Sequence, residues 1–434
     1  MTSSTAWPRL PFYYGWMVVA VVFVTMGVGV NARTAFSLLY PSILAEFAWD
    51  RGVTAGIFSF GFLMSAFLSP LFGRMMDSQG PRTVTLMGIA ATASGLVLAA
   101  WSREPWHFYA TLGVLVGAGS VCLGYSCQSL FLPAWFVRRR GLAMSIAFSG
   151  VGAGSIVLLP LLQWVIQEHG WRSACVTLGL LAAALLTPLA MLLRRRPEDM
   201  GLQADGARDT ASDAAAARQA YIVDPAWAAV DWTLGRAIRT ARFWWLALGY
   251  FCGLFAWYLI QVHQTKYLVE VGFSSLQAAW ALGWVSLAGV PGQIVLGQLS
   301  DRVGREIVWT IGSAGFVLTY LALLLLPAHP SVALLVFMVL AQGLLGYGVT
   351  SVFGAIPAEI FEGRHYGSIF GVLMVFAIGG GAVGPLVAGV LHDRTGSYEA
   401  AFWIAIMSAL LSVFAVWRAA PRQVRVVAGR IGRR

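Results

Sequence analysis

Twelve separate stretches of this chain are apolar for long enough to cross a lipid bilayer, and that requirement narrows its possible folds more than any motif does. They fall at about 13–42, 53–73, 83–101, 107–134, 142–166, 172–193, 243–267, 276–298, 307–326, 331–358, 368–391 and 398–418. About 20 apolar residues cross a hydrocarbon core of about 30 Å as a helix. The composition agrees: the 434 residues are 58% hydrophobic and 11% charged, where a soluble chain carries about 25% charged residues. The expected fold is an all-α membrane protein of twelve transmembrane helices.

A net charge of +10 would suit a nucleic-acid partner, but its distribution argues against one. With the N-terminus inside, 23 of the 29 Lys and Arg residues fall on the cytoplasmic side, among them Arg74, Arg82, Arg138 to Arg140, Arg194 to Arg196 and the tail from Arg418. Five fall outside, Arg51, Arg103, Arg172, Lys266 and Arg394, and Arg33 lies within a span. Basic loops stay in the cytoplasm, so both termini are expected there, in a bacterial inner membrane. The basic tail, 419–434, reads as a topology anchor that meets anionic lipid. No apolar segment with a small-residue cleavage site precedes the first span, so no cleaved signal peptide is expected. Cys122, Cys127, Cys175 and Cys252 lie in apolar runs without CxxC spacing and read as small core residues. No cofactor or metal site is expected.

Residues 194–242 form the one long interruption, a polar, Ala-rich cytoplasmic linker with an amphipathic helix expected at 232–242. It separates an N-terminal bundle, 1–193, from a C-terminal one, 243–418. The halves repeat. GRMMDSQGPR (73–82) and GQLSDRVGRE (297–306) share G-x-x-x-D-x-x-G at an offset of 224 residues. EFAWDRGVTA (46–55) matches EVGFSSLQAA (270–279) at the same offset, and LGYSCQSLF (123–131) matches LGYGVTSVF (345–353) at 222. Three matches at nearly one offset indicate a duplication, giving two pseudo-symmetric six-helix bundles, as many transporter folds are built. In the repeated motif the glycines permit tight turns and close helix contact. Asp77 and Asp301 are placed to cap a helix N-terminus or to pair with Arg82 and Arg305. Bonds of that kind, made in one conformation and broken in another, would serve as a latch; a static loop salt bridge is the alternative.

The motif present as Gly73, Asp77, Gly80 and Arg82, and partly as Gly297, Asp301, Gly304 and Arg305, resembles the signature of the major facilitator superfamily. The twelve spans and the six-plus-six repeat match it over essentially the whole chain. WFVRRRGLAMSIAFSG (135–150) and FYYGW (12–16) are similar to the monocarboxylate transporter family, most nearly its bacterial branch, which includes oxalate–formate exchangers. The resemblance implies alternating access around a site between the halves.

Substrate sites in such folds lie near the bilayer midplane. Arg33 stands near the centre of the first span, where an arginine costs about 2.5–3.5 kcal/mol and should face a wet cavity. Ser37 and Tyr40 follow at i+4 and i+7, on the same face of a regular helix. No Asp or Glu lies deep in a span to neutralise Arg33, so an anionic substrate is the candidate counter-ion; backbone carbonyls are the alternative. Tyr125, Gln128 and Ser129 share one face of the fourth span, and Tyr347, Thr350 and Ser351 take the matching positions of the tenth. A repeated polar stripe is expected to line a common cavity, or else to bond neighbouring helices.

The seventh span leaves two choices open. Tyr250, Trp257, Gln261 and Gln264 fall on one face, with Trp257 aligned to Arg33 by the repeat; His263, Lys266, Tyr267 and Glu270 fall on the other. The family resemblance implies substrate contact for His263, which also has the ordinary pKa for a proton-coupling role. Lys266 reads as a residue at the membrane interface, able to pair with Glu270. The chain departs from its relatives in charge: mammalian monocarboxylate transporters carry an aspartate and an arginine in the eighth span, and the oxalate exchanger carries an arginine there and a lysine in the eleventh. Here the eighth span has no charge and the eleventh none before His392.

The expected function is therefore secondary transport of a small organic anion, a monocarboxylate, with proton symport preferred over exchange of the oxalate–formate type, by a monomer. Multidrug efflux would call for a membrane-embedded acid, and a sensor for a larger soluble domain. No serine nucleophile, acid pair or metal cluster in a span supports an enzyme.

Overall fold

The computed structural model describes residues 12–49, 51–206 and 219–430. Parts of the linker (207–218) and of the basic tail (431–434) lie outside the described residues. Eleven helices among them are long and apolar enough to cross a membrane. One of these, Arg140–Met191, has 52 residues and at 1.5 Å per residue would extend about 78 Å, more than twice the bilayer core. It is broken at Gly170, whose φ of 81° and ψ of 163° are non-helical. Leu162 and Val165 before the break and Ala174 and Leu178 after it share one buried cluster, so the chain doubles back there. The spans are thus twelve: α1 Tyr14–Phe47, α2 Arg51–Gln79, α3 Pro81–Ala99, α4 Pro105–Trp135, α5 140–169, α6 171–191, α7 Ala241–Glu270, α8 Ser275–Val303, α9 Arg305–Leu325, α10 Val332–Ile360, α11 Tyr366–Thr395 and α12 Glu399–Ala419.

The duplication shows in backbone detail. Gly80 ends α2 at φ 82° and Gly304 ends α8 at φ 113°, and in each case the next helix starts one residue later. The repeated motif is therefore not the loop its composition suggested: Gly73 to Asp77 and Gly297 to Asp301 are the last turns of α2 and α8. In α4, π-helical turns over Tyr109–Leu115 precede an interruption at Gly124, and Tyr125 restarts the helix. In α10, π-helical turns over Ala341–Gly346 precede an interruption at Tyr347. Such irregular turns in a membrane are tolerated where protein or a cavity covers them.

Without a hydrophobic drive between helices in lipid, close backbone contact holds the bundles. A Cβ on Gly154 would stand 2.4 Å from the Gly27 carbonyl oxygen of α1, and one on Gly384 would stand 2.5 Å from that of Phe255 in α7. The α1–α5 and α7–α11 pairs are thus glycine contacts of the same kind.

Both described ends of the chain lie at one face of the bundle, called here the terminal face. The Tyr14 hydroxyl donates to the Leu192 carbonyl there. Among the described residues between α6 and α7 only short helical turns occur: Pro197–Met200, Ala204–Gly206, Pro225–Ala228 and Leu234–Ala237. They replace the amphipathic helix expected over 232–242, because the Thr240 hydroxyl caps a new helix that starts at Ala241. The linker also pairs with the tail: Val223 N–H donates to Val424, and Val426 N–H to Tyr221. Arg425 donates to the Glu359 carbonyl and pairs with Glu362 at 3.3 Å. The described part of the basic tail is therefore folded against the C-terminal half.

Candidate anion site between the two halves

The central site starts from Asn31, which sequence reasoning passed over. Its buried amide donates to the Gly27 and Val151 carbonyls and accepts from Ser155. That network clamps α1 to α5 one half-turn before Arg33. The half-buried Arg33 guanidinium lies 4.2 Å from the ring centroid of Phe62 in α2. The Tyr258 hydroxyl of α7, across the interface between the halves, and Tyr125 of α4 stand within electrostatic reach of it. Among the described residues no carboxylate pairs with it. An aromatic face contributes about 0.5–2 kcal/mol to a cation, short of the several kcal/mol that a charge loses on leaving water.

The C-terminal half supplies the facing wall. Gln261 and Ser286 stand near the Tyr347 hydroxyl, and Ser286 itself donates to the Leu282 carbonyl. The Tyr347 ring packs at 4.8 Å on Trp257, which rests at 5.0 Å on Phe316. Tyr258 faces both Tyr125 and Tyr347, and the Gln261 Oε1 atom is buried without a hydrogen-bond partner. Arg33, Tyr125, Gln261 and Tyr347 are thus brought together. Tyr258, Phe62 and Ser286 join them unforeseen, although Tyr258 lies at i−3 from Gln261, the spacing of one helix face.

Other residues of the expected stripes point elsewhere. The helical ladder of α1 is interrupted at Ala35, so Ser37 and Tyr40 do not continue the Arg33 face: Ser37 is exposed and donates to Thr34, and Tyr40 packs on Phe36 at 6.1 Å. Gln128 is fully buried and donates to the Cys122 carbonyl and to Thr85. The break at Gly124 leaves carbonyls of the preceding turn without helical partners, and Gln128 satisfies one of them. Ser129 and Ser351 are buried and donate to the carbonyls of Tyr125 and Gly348. Thr350 accepts from Gln293 and donates to Tyr347 O, one turn below the site. On α7, Tyr250 is buried and donates to Phe353, and Gln264 is buried against Met338. His263 sits apart, with Nε2 3.0 Å from the Pro385 carbonyl and Nδ1 3.2 Å from the Tyr398 hydroxyl. Lys266 is 66% exposed and pairs with Glu270 at 3.7 Å.

At the terminal face each motif aspartate reaches into the opposite half. Asp77 accepts from Gly367 N–H, Ser368 N–H and the Ser368 hydroxyl at the start of α11. Asp301 accepts from Gly141 and Leu142 N–H at the start of α5. Arg305 binds Asp301 at 2.7 Å and Glu359 at 2.8 Å while 2% exposed. Arg82 does not share this arrangement; its side chain is exposed, because Pro81 turns the chain away directly after Gly80.

Comparison with known proteins agrees with this architecture. The model of the Major Facilitator Superfamily matches residues 17–328 and 246–432. Monocarboxylate transporter 13 of Rattus norvegicus is 29% identical over 401 residues, 90% of this chain and 86% of that protein. Monocarboxylate transporter 11 of Mus musculus is 28% identical over 427 residues, covering 94% and 88%. Among solved structures, the proton:xylose symporter XylE superposes with a TM-score of 0.68 at 15% identity, over 93% of this chain and 95% of that one. The transporter FucP in the outward conformation gives 0.67 at 18% identity, over 94% and 100%. With helices, repeat and sequence in agreement over nearly its whole length, the chain is a multi-pass membrane transporter of the Major Facilitator Superfamily, similar in sequence to the monocarboxylate transporters.

Proposed function

We propose that the protein carries a small organic anion, a monocarboxylate, by alternating access, with proton symport rather than exchange. The observation that carries this reading is Arg33: a cation at the junction of the halves, set over the face of Phe62 and near the Tyr258 hydroxyl, with no carboxylate paired to it among the described residues. A substrate carboxylate would complete the pair, with Tyr125, Tyr258 and Tyr347 donating to it and Phe62 and Trp257 walling its carbon skeleton. Charge-assisted bonds of this type are about twice as strong as neutral ones. The basic residues crowd the terminal face, which supports a cytoplasmic position for both termini. On that orientation the Asp77 and Asp301 bonds hold the cytoplasmic side shut, and breaking them opens it.

Counterflow in proteoliposomes with a panel of monocarboxylates, dicarboxylates and amino acids tests the substrate class. Arg33→Gln should reduce flux of the best anion at least about 100-fold, from loss of a buried charged bond of about 3 kcal/mol. Unchanged flux would sink the central claim. Uptake driven by an imposed pH gradient separates symport from exchange.

A further inference from the structure

The histidine that stands apart from the anion site has an environment of its own. His263 lies between α7, α11 and the start of α12. A backbone carbonyl only accepts, so the contact with Pro385 O places a hydrogen on Nε2. In the neutral ring the Nδ1 lone pair is then filled by the Tyr398 hydroxyl, which donates to it. When a proton arrives at Nδ1, the same contact reverses: Nδ1–H donates to Tyr398 Oη, and no other covalent bond changes. Both protonation states are therefore held by one geometry.

A graded path leads outward from this pair. The Tyr398 ring stacks on His392 at 4.3 Å, and His392 Nε2 lies 3.9 Å from Glu270 Oε2. Side-chain exposure rises along it, from 23% at His392 to 40% at Glu270 and 84% at Asp393. The charged and titratable groups around the pair are Lys266, Tyr267 and Glu270 from α7, His392 and Asp393 from α11, and Tyr398 and Glu399 at the start of α12. His263 lies five residues beyond Tyr258 on α7, about 7.5 Å along the axis. One rigid helix therefore carries both the anion-site hydroxyl and the histidine.

We propose that His263 and Tyr398 form a proton-binding site separate from the anion site, loaded from the face opposite the termini through His392 and Glu270. The proposal rests on the symport reading. The proton is received on α7 beside the anion site, so its charge favours an anion at Arg33, and neither ligand needs to touch the other.

The test compares two fluxes of the full chain in proteoliposomes, using whichever of acetate, pyruvate, lactate and oxalate gives the largest counterflow. Counterflow at symmetric pH reports folded carrier; accumulation under an inward proton gradient reports coupling. In His263→Gln the ratio of gradient-driven to counterflow uptake should fall about tenfold or more. In Tyr398→Phe the charged imidazole loses its acceptor, so the midpoint of the pH–uptake curve should move about one unit to lower pH. His392→Asn should slow proton-driven uptake from the far side more than from the terminal side. If the native protein accumulates anion under the gradient and His263→Gln keeps its ratio, or Tyr398→Phe leaves the midpoint in place, the proton site is wrong while symport stands. If the native protein shows counterflow but no response to the gradient, symport itself fails, and this site fails with it.

Discussion

The two copies of the repeated motif do the same job with different chemistry. Asp77 and Asp301 each join the halves at the terminal face by accepting two N–H groups from the first turn of a helix in the opposite half. Around Asp77 stand a serine hydroxyl, the positive end of α11 and, at longer range, Arg195. Around Asp301 there is a buried arginine, which also holds Glu359. Two carboxylates and one guanidinium with 2% exposure form a network that is costly to break, because removing one member leaves buried charge without a partner. That network lies wholly within the C-terminal half, joining α8, α9 and α10, whereas the bonds that cross between the halves are the N–H groups donated to each aspartate. The arginine of the C-terminal copy sits at i+4 from its aspartate, on the same helical face. In the N-terminal copy Pro81 takes that position and Arg82 falls one residue further on, exposed.

This contrast can be broken at four points. Arg305→Gln should have the largest effect, lowering stability by about 3–5 kcal/mol; thermal unfolding in detergent would show it, and a change under 1 kcal/mol would mean the network is solvated and the two latches are equivalent. Next comes Asp77→Asn, which keeps the shape but loses the charged acceptor, at about 1–2 kcal/mol. Such a change moves the closed-to-open ratio of the terminal face about 5–30-fold, readable as labelling of a cysteine placed at Ser69, with little change in melting temperature. Ser368→Ala removes one of the three bonds to Asp77 and should produce about 1 kcal/mol of the same shift. Arg82→Ala should change neither measurement. An effect as large as that of Asp77→Asn would restore the aspartate–arginine pairing that the motif spacing suggested.

Much of the architecture was legible because membrane crossing is a demand on length and composition alone. The twelve spans, the duplication and the two aspartates follow from residue type and register. Arg33 was legible for the same reason: a charge in mid-span stands out against apolar neighbours. The wall around it was only half legible. The polar stripe of α4 assumed a regular helix, but the interruption at Gly124 separates Tyr125 from Gln128, and Gln128 repairs the backbone instead. Tyr258 attracted no notice because a tyrosine in an apolar run resembles core packing until its hydroxyl is seen near a guanidinium. Glu359 lay one residue past the estimated end of its span, and its partner Arg305 is 54 positions away.

By itself the sequence determined that this chain spans a bilayer twelve times, that its halves are copies, and that one cation lies in mid-span. Tertiary structure alone decided which polar groups stand around that cation and which are spent on backbone repair. It also separated His263 from Arg33 and gave one motif copy a buried arginine that the other lacks. The division has a physical cause. Burial in lipid is a property of each segment and can be read segment by segment, whereas the direction of a polar side chain depends on helix breaks and on partners contributed from distant parts of the chain.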